Sequence, residues 1–169
     1  MTETRKEQKV IMINEDLNSA PVYPLSPDLI LHWYEPEDEK YWIAIHKEAD
    51  KFNVITPQLF DKQFGNDKLN LRERQCYLLD KTGKAIATAT AWEKKQGEFA
   101  GFGQVHWVAV VPEWHNQGLG KMIVSIICQR LIELGYTQAF LDTSDLRPAA
   151  IHLYEKFGFK IQNDSGEKS

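Results

Sequence analysis

At Pro112 the chain changes its hydrophobic period. Residues 103–111 read as a strand, which the proline stops. From Leu119 the apolar residues Met122, Ile123, Ile126, Ile127, Leu131 and Leu134 follow at i+3, i+4, i+7, i+8, i+12 and i+15. That is the stripe of a long amphipathic helix. Gly135 is placed to end it, and residues 137–142 return to a strand pattern. A strand, a helix and a strand in that order make a right-handed crossover between parallel strands.

The rest of the chain is fitted around this unit. Residues 29–34 read as a strand. Pro36 and the acids that follow it open a helix, with Tyr41, Trp42, Ile45, Ala49 and Phe52 at helical spacing. Thr56-Pro57 is an N-cap with proline at the first helical position, and Gly65 ends that short helix after Phe64. Residues 75–80 and 84–93 are strands joined by the turn at 81–84, and a turn at Gly97 leads into the third strand of an antiparallel meander. A helix at 148–157, stopped by Gly158, precedes a last strand at 159–162. The fold class is α+β: a mixed, mostly antiparallel sheet with a central parallel β-α-β unit, flanked by helices.

The length of 169 residues suits one domain. Residues 1–28 read as an N-terminal extension, broken by Pro21, Pro24 and Pro27, with a possible extra strand at 10–13. Residues 29–162 are the folded domain and 163–169 a polar tail. An exposed sheet edge is expected near the end of the chain, to be covered by 10–13 or by a second copy in a homodimer.

Composition removes several classes of function. Lys plus Arg number 20 and Asp plus Glu 24, a net charge of −4, which suits neither a nucleic-acid binder nor an anionic membrane surface. Cys76 and Cys128 form no CxxC pair and there is no HExxH, so no metal site is expected. No signal-peptide pattern and no apolar run long enough to span a bilayer is visible, which points to a cytoplasmic protein.

Gly118 and Gly120 stand at the mouth of the long helix. Free amides at a helix N-terminus, with the dipole, form an anion site. The glycines remove Cβ atoms that would hold a phosphate away, and Lys121 adds a charge. A pyrophosphate-bearing ligand is expected; a glycine turn with no ligand is the other reading. A P-loop is absent, since His115 and Met122 stand where it needs Gly and Ser or Thr. A dinucleotide fingerprint from Gly118 fails at Ile123.

The stretch 108–121 resembles motif A of the GNAT superfamily of N-acetyltransferases: V-x-V, a Pro, then Arg or Gln-x-x-Gly-x-Gly or Ala. Arg147-Pro-Ala-Ala-Ile-His-Leu-Tyr-Glu-Lys-Phe-Gly-Phe159 resembles its motif B, Asn-x-x-Ala-x-x-Leu-Tyr-x-x-x-Gly-Phe. The resemblance covers about 29–162. It implies acetyl-CoA as cosubstrate and a small-molecule or protein amine as acceptor. It implies that the backbone of Val108 and Val110 pairs with the pantetheine arm. It also implies that the amides of Asn116, Gln117, Gly118, Leu119, Gly120 and Lys121 cradle the pyrophosphate. His115 replaces the motif's Arg or Gln, which implies a weaker or pH-dependent cofactor contact. Arg147 replaces the motif's Asn, a longer cation within reach of a phosphate or a substrate carboxylate.

Acetyl transfer needs the amine deprotonated, the oxyanion stabilised and the thiolate protonated. The resemblance gives Tyr154 the acid role and a backbone N–H within 108–110 the oxyanion. Histone-acetylating relatives carry Glu where Gln104 stands. His106, two residues on and on the same strand face, is the candidate base, with Asp142, Asp145 or a water chain as alternatives. His32, His46 and His152 read as surface or satisfied histidines, and the two cysteines as core. The acceptor pocket is expected in the N-terminal half, rich in aromatics from Trp33 to Phe64. A degenerate acyl-CoA-binding module is the alternative, favoured by His115, Arg147 and Gln104.

Overall fold

The computed structural model describes residues 6–162. The polar tail at 163–169 and the start of the polar N-terminal segment lie outside the described residues. Among the described residues, seven strands form one sheet: β1 (Lys9–Asn14), β2 (Ile30–Trp33), β3 (Gln75–Leu79), β4 (Ala85–Glu93), β5 (Gly103–Val110), β6 (Ala139–Ser144) and β7 (Lys160–Ile161). Their order across the sheet is β2-β3-β4-β5-β6-β1-β7. β5 and β6 are parallel, and every other neighbouring pair is antiparallel. The helices are α1 (Glu39–Ala49), α2 (Pro57–Phe64), α3 (Leu119–Glu133) and α4 (Pro148–Glu155).

Every residue of β4 from Ala85 to Ala91 is buried. Alternate strand residues point to opposite faces, so both faces of the sheet are covered here. α1 and α3 both pack on β4 and β5. Among the described residues no helix is long and apolar enough to cross a membrane.

The strand expected at 10–13 forms, and its place is more central than that of an edge cover. β1 pairs with β6 from Lys9↔Ser144 to Asn14↔Ala139, and with β7 at Met12↔Ile161 and Ile13↔Lys160. The outermost strand at that end is therefore β7.

α2 follows its sequence signals: Thr56 Oγ1 accepts from the Leu59 amide at 3.0 Å, Pro57 opens the helix and Gly65 leaves it at φ 78°. α1 starts later than Pro36 suggests. Glu37 takes a positive φ of 80°. The Asp38 carboxylate is used elsewhere, accepting from the Glu35 amide at 2.7 Å and meeting His32 Nε2 at 2.8 Å. Residues 69–73 form a 3-10 turn that the sequence pattern does not announce.

Candidate active site

β5 and β6 pair only at Gly103↔Ala139 and Gln104↔Phe140. Beyond Gln104 they diverge, and a cavity of about 910 Å³ opens between 106–110 on one strand and 142–144 on the other. From Val105 on, β5 is held by β4 alone, so its other edge at Val108 and Val110 has no strand partner, and the Val110 carbonyl is met instead by His115.

A β-bulge accompanies the divergence. Thr88 opposes Ala109 and Thr90 opposes His106, so β5 spends three residues where β4 spends two. Trp107 lies in the bulge at φ 50°, a rare conformation for a bulky residue. Bulges raise local twist and re-aim side chains beside active sites. The Trp107 ring is braced against Trp42 and His46 at 5.2 Å each, and its Nε1 donates to Gln63 Oε1 at 3.0 Å.

The cavity runs to the start of α3. Asn116 and Gly118 take left-handed backbone at φ 63° and 85°, which turns the loop into the helix. No side chain caps α3, so its first amides at Leu119, Gly120 and Lys121 remain available. The two glycines differ in their reasons. Gly118 is needed for its φ, whereas a Cβ on Gly120 would meet Leu153 Cδ2 of α4 at 3.1 Å. The His115 ring is turned onto the Val110 carbonyl, with Nε2 at 2.9 Å. Gln117 does not line the cavity; its side chain donates to the Glu113 carbonyl.

α4 supplies the opposite wall. Tyr154 is buried at 8% exposure and lines the cavity. Burial pushes its phenol well above the ordinary tyrosine value, with Cys128 adding to the rise and Arg147 opposing it, so it stays protonated. Arg147 precedes the helix, also lines the cavity and pairs with Asp50 at 3.3 Å.

His106 lines the cavity with Nδ1 3.1 Å from Gln104 Nε2. Burial, with Lys94 and His46 nearby, pushes its imidazole down to about 3. Asp142 also lines the cavity, 3.6 Å from Lys9 Nζ. Asp145 accepts from the Gln8 amide instead.

Three cavity residues carried no signal in the sequence: His46, Asp50 and Asn53. They sit at the end of α1 and the turn after it, where only the fold brings them to α4. His32 and His152 meet acids, Asp38 and Glu155. His46 is buried, and among the described residues its Nε2 has no hydrogen-bond partner. Burial pushes it down to about 4 and Arg147 also lowers it, against Asp50 and a hydrogen bond to the Trp107 backbone. Of the aromatics expected near the acceptor, Tyr34, Trp42, Phe60 and Phe64 are core, and Phe52 is exposed. Burial pushes the thiols of Cys76 and Cys128 up to about 12, which leaves them unreactive packing groups.

Comparison with known proteins agrees with this geometry. The family model "Acetyltransferase (GNAT) family" matches residues 30–159. The S-(2-succino)cysteine N-acetyltransferase of Bacillus subtilis is 30% identical over 95 residues, 53% of this chain and 57% of that protein. The chain spans about half the length of the curated relatives it matches. Among solved structures, a GCN5-related N-acetyltransferase from Sphaerobacter thermophilus is similar with a TM-score of 0.72 at 18% identity, over 93% of this chain and 49% of that one. The ribosomal-protein-S18-alanine N-acetyltransferase from Escherichia coli gives 0.63 at 21% identity, over 83% and 88%. The splayed strands, the uncapped α3 and the Tyr154 helix all fall inside the matched segment, and the chain belongs to the GNAT acetyltransferase family.

Proposed function

We propose that the chain transfers the acetyl group of acetyl-CoA to an amine by direct attack in a ternary complex. The observation that carries this reading is the continuous path from the free β5 edge to the uncapped N-terminus of α3. An extended arm with amide groups can add to the edge at Val108 and the Val110 amide as another strand would, the Val110 carbonyl being taken by His115. A pyrophosphate can sit on the amides at 116–121 beside Lys121. The residues present therefore suit acetyl-CoA.

The amine nitrogen forms its bond to the acetyl carbon, the C–S bond breaks and the nitrogen loses a proton. Tyr154 gives its phenolic proton to the departing sulfur; burial keeps that proton in place at neutral pH. A backbone N–H of the β5 edge stabilises the oxyanion. His106 faces the same cavity, but with a value of about 3 it is too weak a base to deprotonate a free ammonium. The amine therefore enters neutral, its ammonium proton lost to solvent, and His106 takes the second proton only after the N–C bond has formed, when that nitrogen is far more acidic.

Calorimetric titration with acetyl-CoA, followed by acetyl transfer to a panel of amines, tests the reading. Binding with transfer supports it. Binding without transfer to any amine favours an acyl-CoA-binding module, which the His115, Arg147 and Gln104 replacements would suit. Absence of binding overturns both.

A further inference from the structure

We propose that the acceptor amine also carries a carboxylate and that Arg147 receives it. This rests on the acetyltransferase reading above and names the substrate class for that site.

The geometry around Arg147 points to a group held ready for a ligand. Its backbone is fixed: the amide donates to the Ser144 carbonyl at 3.0 Å, and its own carbonyl accepts from Ala150 and Ile151. Its guanidinium makes one contact with Asp50, Nη2 to Oδ1 at 3.3 Å, and stacks with Cζ 4.9 Å from the centre of the Phe52 ring. A guanidinium carries five N–H donors in a rigid fork. Among the described residues no other acceptor engages the rest of that fork, and the residue lines the cavity.

Asp50 is placed to hold the arginine and is not free to take a substrate ammonium. Its side chain is only 3% exposed. It already accepts from the Phe52 amide at 2.7 Å, the Asn53 amide at 3.0 Å and Asn53 Nδ2 at 2.9 Å. These bonds spread its charge, so Arg147 is not neutralised at its open side. Burial alone would raise the Asp50 carboxyl, but the bonds from Asn53 and Phe52 and the Arg147 charge hold it below its ordinary value. Asp50 is a positioning residue for Arg147.

The arginine lies on the α1 side of the cavity, through Asp50 and Phe52, whereas the pyrophosphate cradle is built from 116–121. It precedes the same helix that carries Tyr154. Of the other cations lining the cavity, Lys9 faces Asp142 and Lys121 belongs to the cradle. A planar, fixed fork suits a carboxylate, which it can bind through two parallel hydrogen bonds.

The test compares α-amino acids with their amides and with the matching decarboxylated amines, in wild type, Arg147→Asn and Arg147→Lys. The expected result is a kcat/KM for the acid at least tenfold above that for its amide. Arg147→Asn, which installs the motif-B residue, collapses that ratio toward one. Arg147→Lys keeps a charge but loses the fork and leaves an intermediate ratio, which guards against misfolding of the asparagine variant. Equal use of acids and amides by the wild type overturns the proposal. So does an Arg147→Asn defect confined to the Kd for acetyl-CoA, or a panel with no acetylated acid while acetyl-CoA still binds. Loss of acetyl-CoA binding by the wild type marks failure of the underlying reading instead.

Discussion

His115 Nε2 lies 2.9 Å from the carbonyl oxygen of Val110. A carbonyl can only accept, so the ring donates from Nε2 and closes off the end of the free strand. The motif position that carries Arg or Gln is thus spent on the protein's own backbone. Replacing His115 with Arg adds a cation beside the uncapped α3. Acetyl-CoA should bind tighter by up to about fivefold, since a partly exposed ion pair contributes up to about 1 kcal/mol. Calorimetry in low and high salt checks it, the gain shrinking as salt rises.

Tyr154→Phe removes the proposed proton donor and keeps the ring that packs near Phe159. The turnover number should fall at least tenfold, about 1.4 kcal/mol in the barrier, with the Kd for acetyl-CoA little changed. Steady-state kinetics beside calorimetry checks both halves. An unchanged turnover removes Tyr154 from the mechanism.

Gly118→Ala tests the turn into α3. At φ 85° an alanine is strained, at a cost of about 1–2 kcal/mol. Relaxing that strain moves the first amides of α3, so acetyl-CoA affinity should fall together with the melting temperature.

Much of the architecture was legible because its signals are local. The α3 stripe, the Thr56 cap and the turns that bound β4 and β5 each reside within a few residues. Even the strand at 10–13 could be read, but not its seat between β6 and β7, because its partners lie more than 120 residues away. The bulge at Trp107 was hidden because a tryptophan occupies the positive φ where a glycine would have marked it. Motif spacing brought Val108, Val110, Gly118, Arg147 and Tyr154 to one cavity. His46 and Asp50 reach that cavity only through the packing of α1, which no spacing encodes.

Two of the cavity histidines, His46 and His106, make stability depend on pH. Burial first lowers His46 to about 4, against Asp50 and the Trp107 backbone, and burial with Lys94 and His46 lowers His106 to about 3, both below the unfolded value near 6.5. The unfolded chain therefore takes up protons first. Stability is fully present above pH 6.5 and falls as pH drops toward 4, by up to about 1.4 kcal/mol per pH unit for each histidine. Melting temperatures from pH 7.5 to 4.5 should decline, and His46→Gln should flatten that slope. An equal slope in the variant would remove His46 as a source.

β1 offers the last test, because it separates a strand of the sheet from a dispensable tail. Met12 is fully buried and opposes Leu141 on one side and Ile161 on the other. Asn14, at the end of the same strand, donates to the Phe157 carbonyl at 2.8 Å and accepts from the Asp16 amide at 2.7 Å, tying β1 to the turn after α4. Met12→Ala should therefore cost about 2–5 kcal/mol, the range for truncating a buried side chain. Val22→Ala, at an exposed position in the same N-terminal segment, should stay within about 0.5 kcal/mol. Urea unfolding of both variants checks the contrast. If Met12→Ala behaves like the exposed change, β1 adds little to the sheet, and the arrangement of β6 and β7 must be held by other contacts.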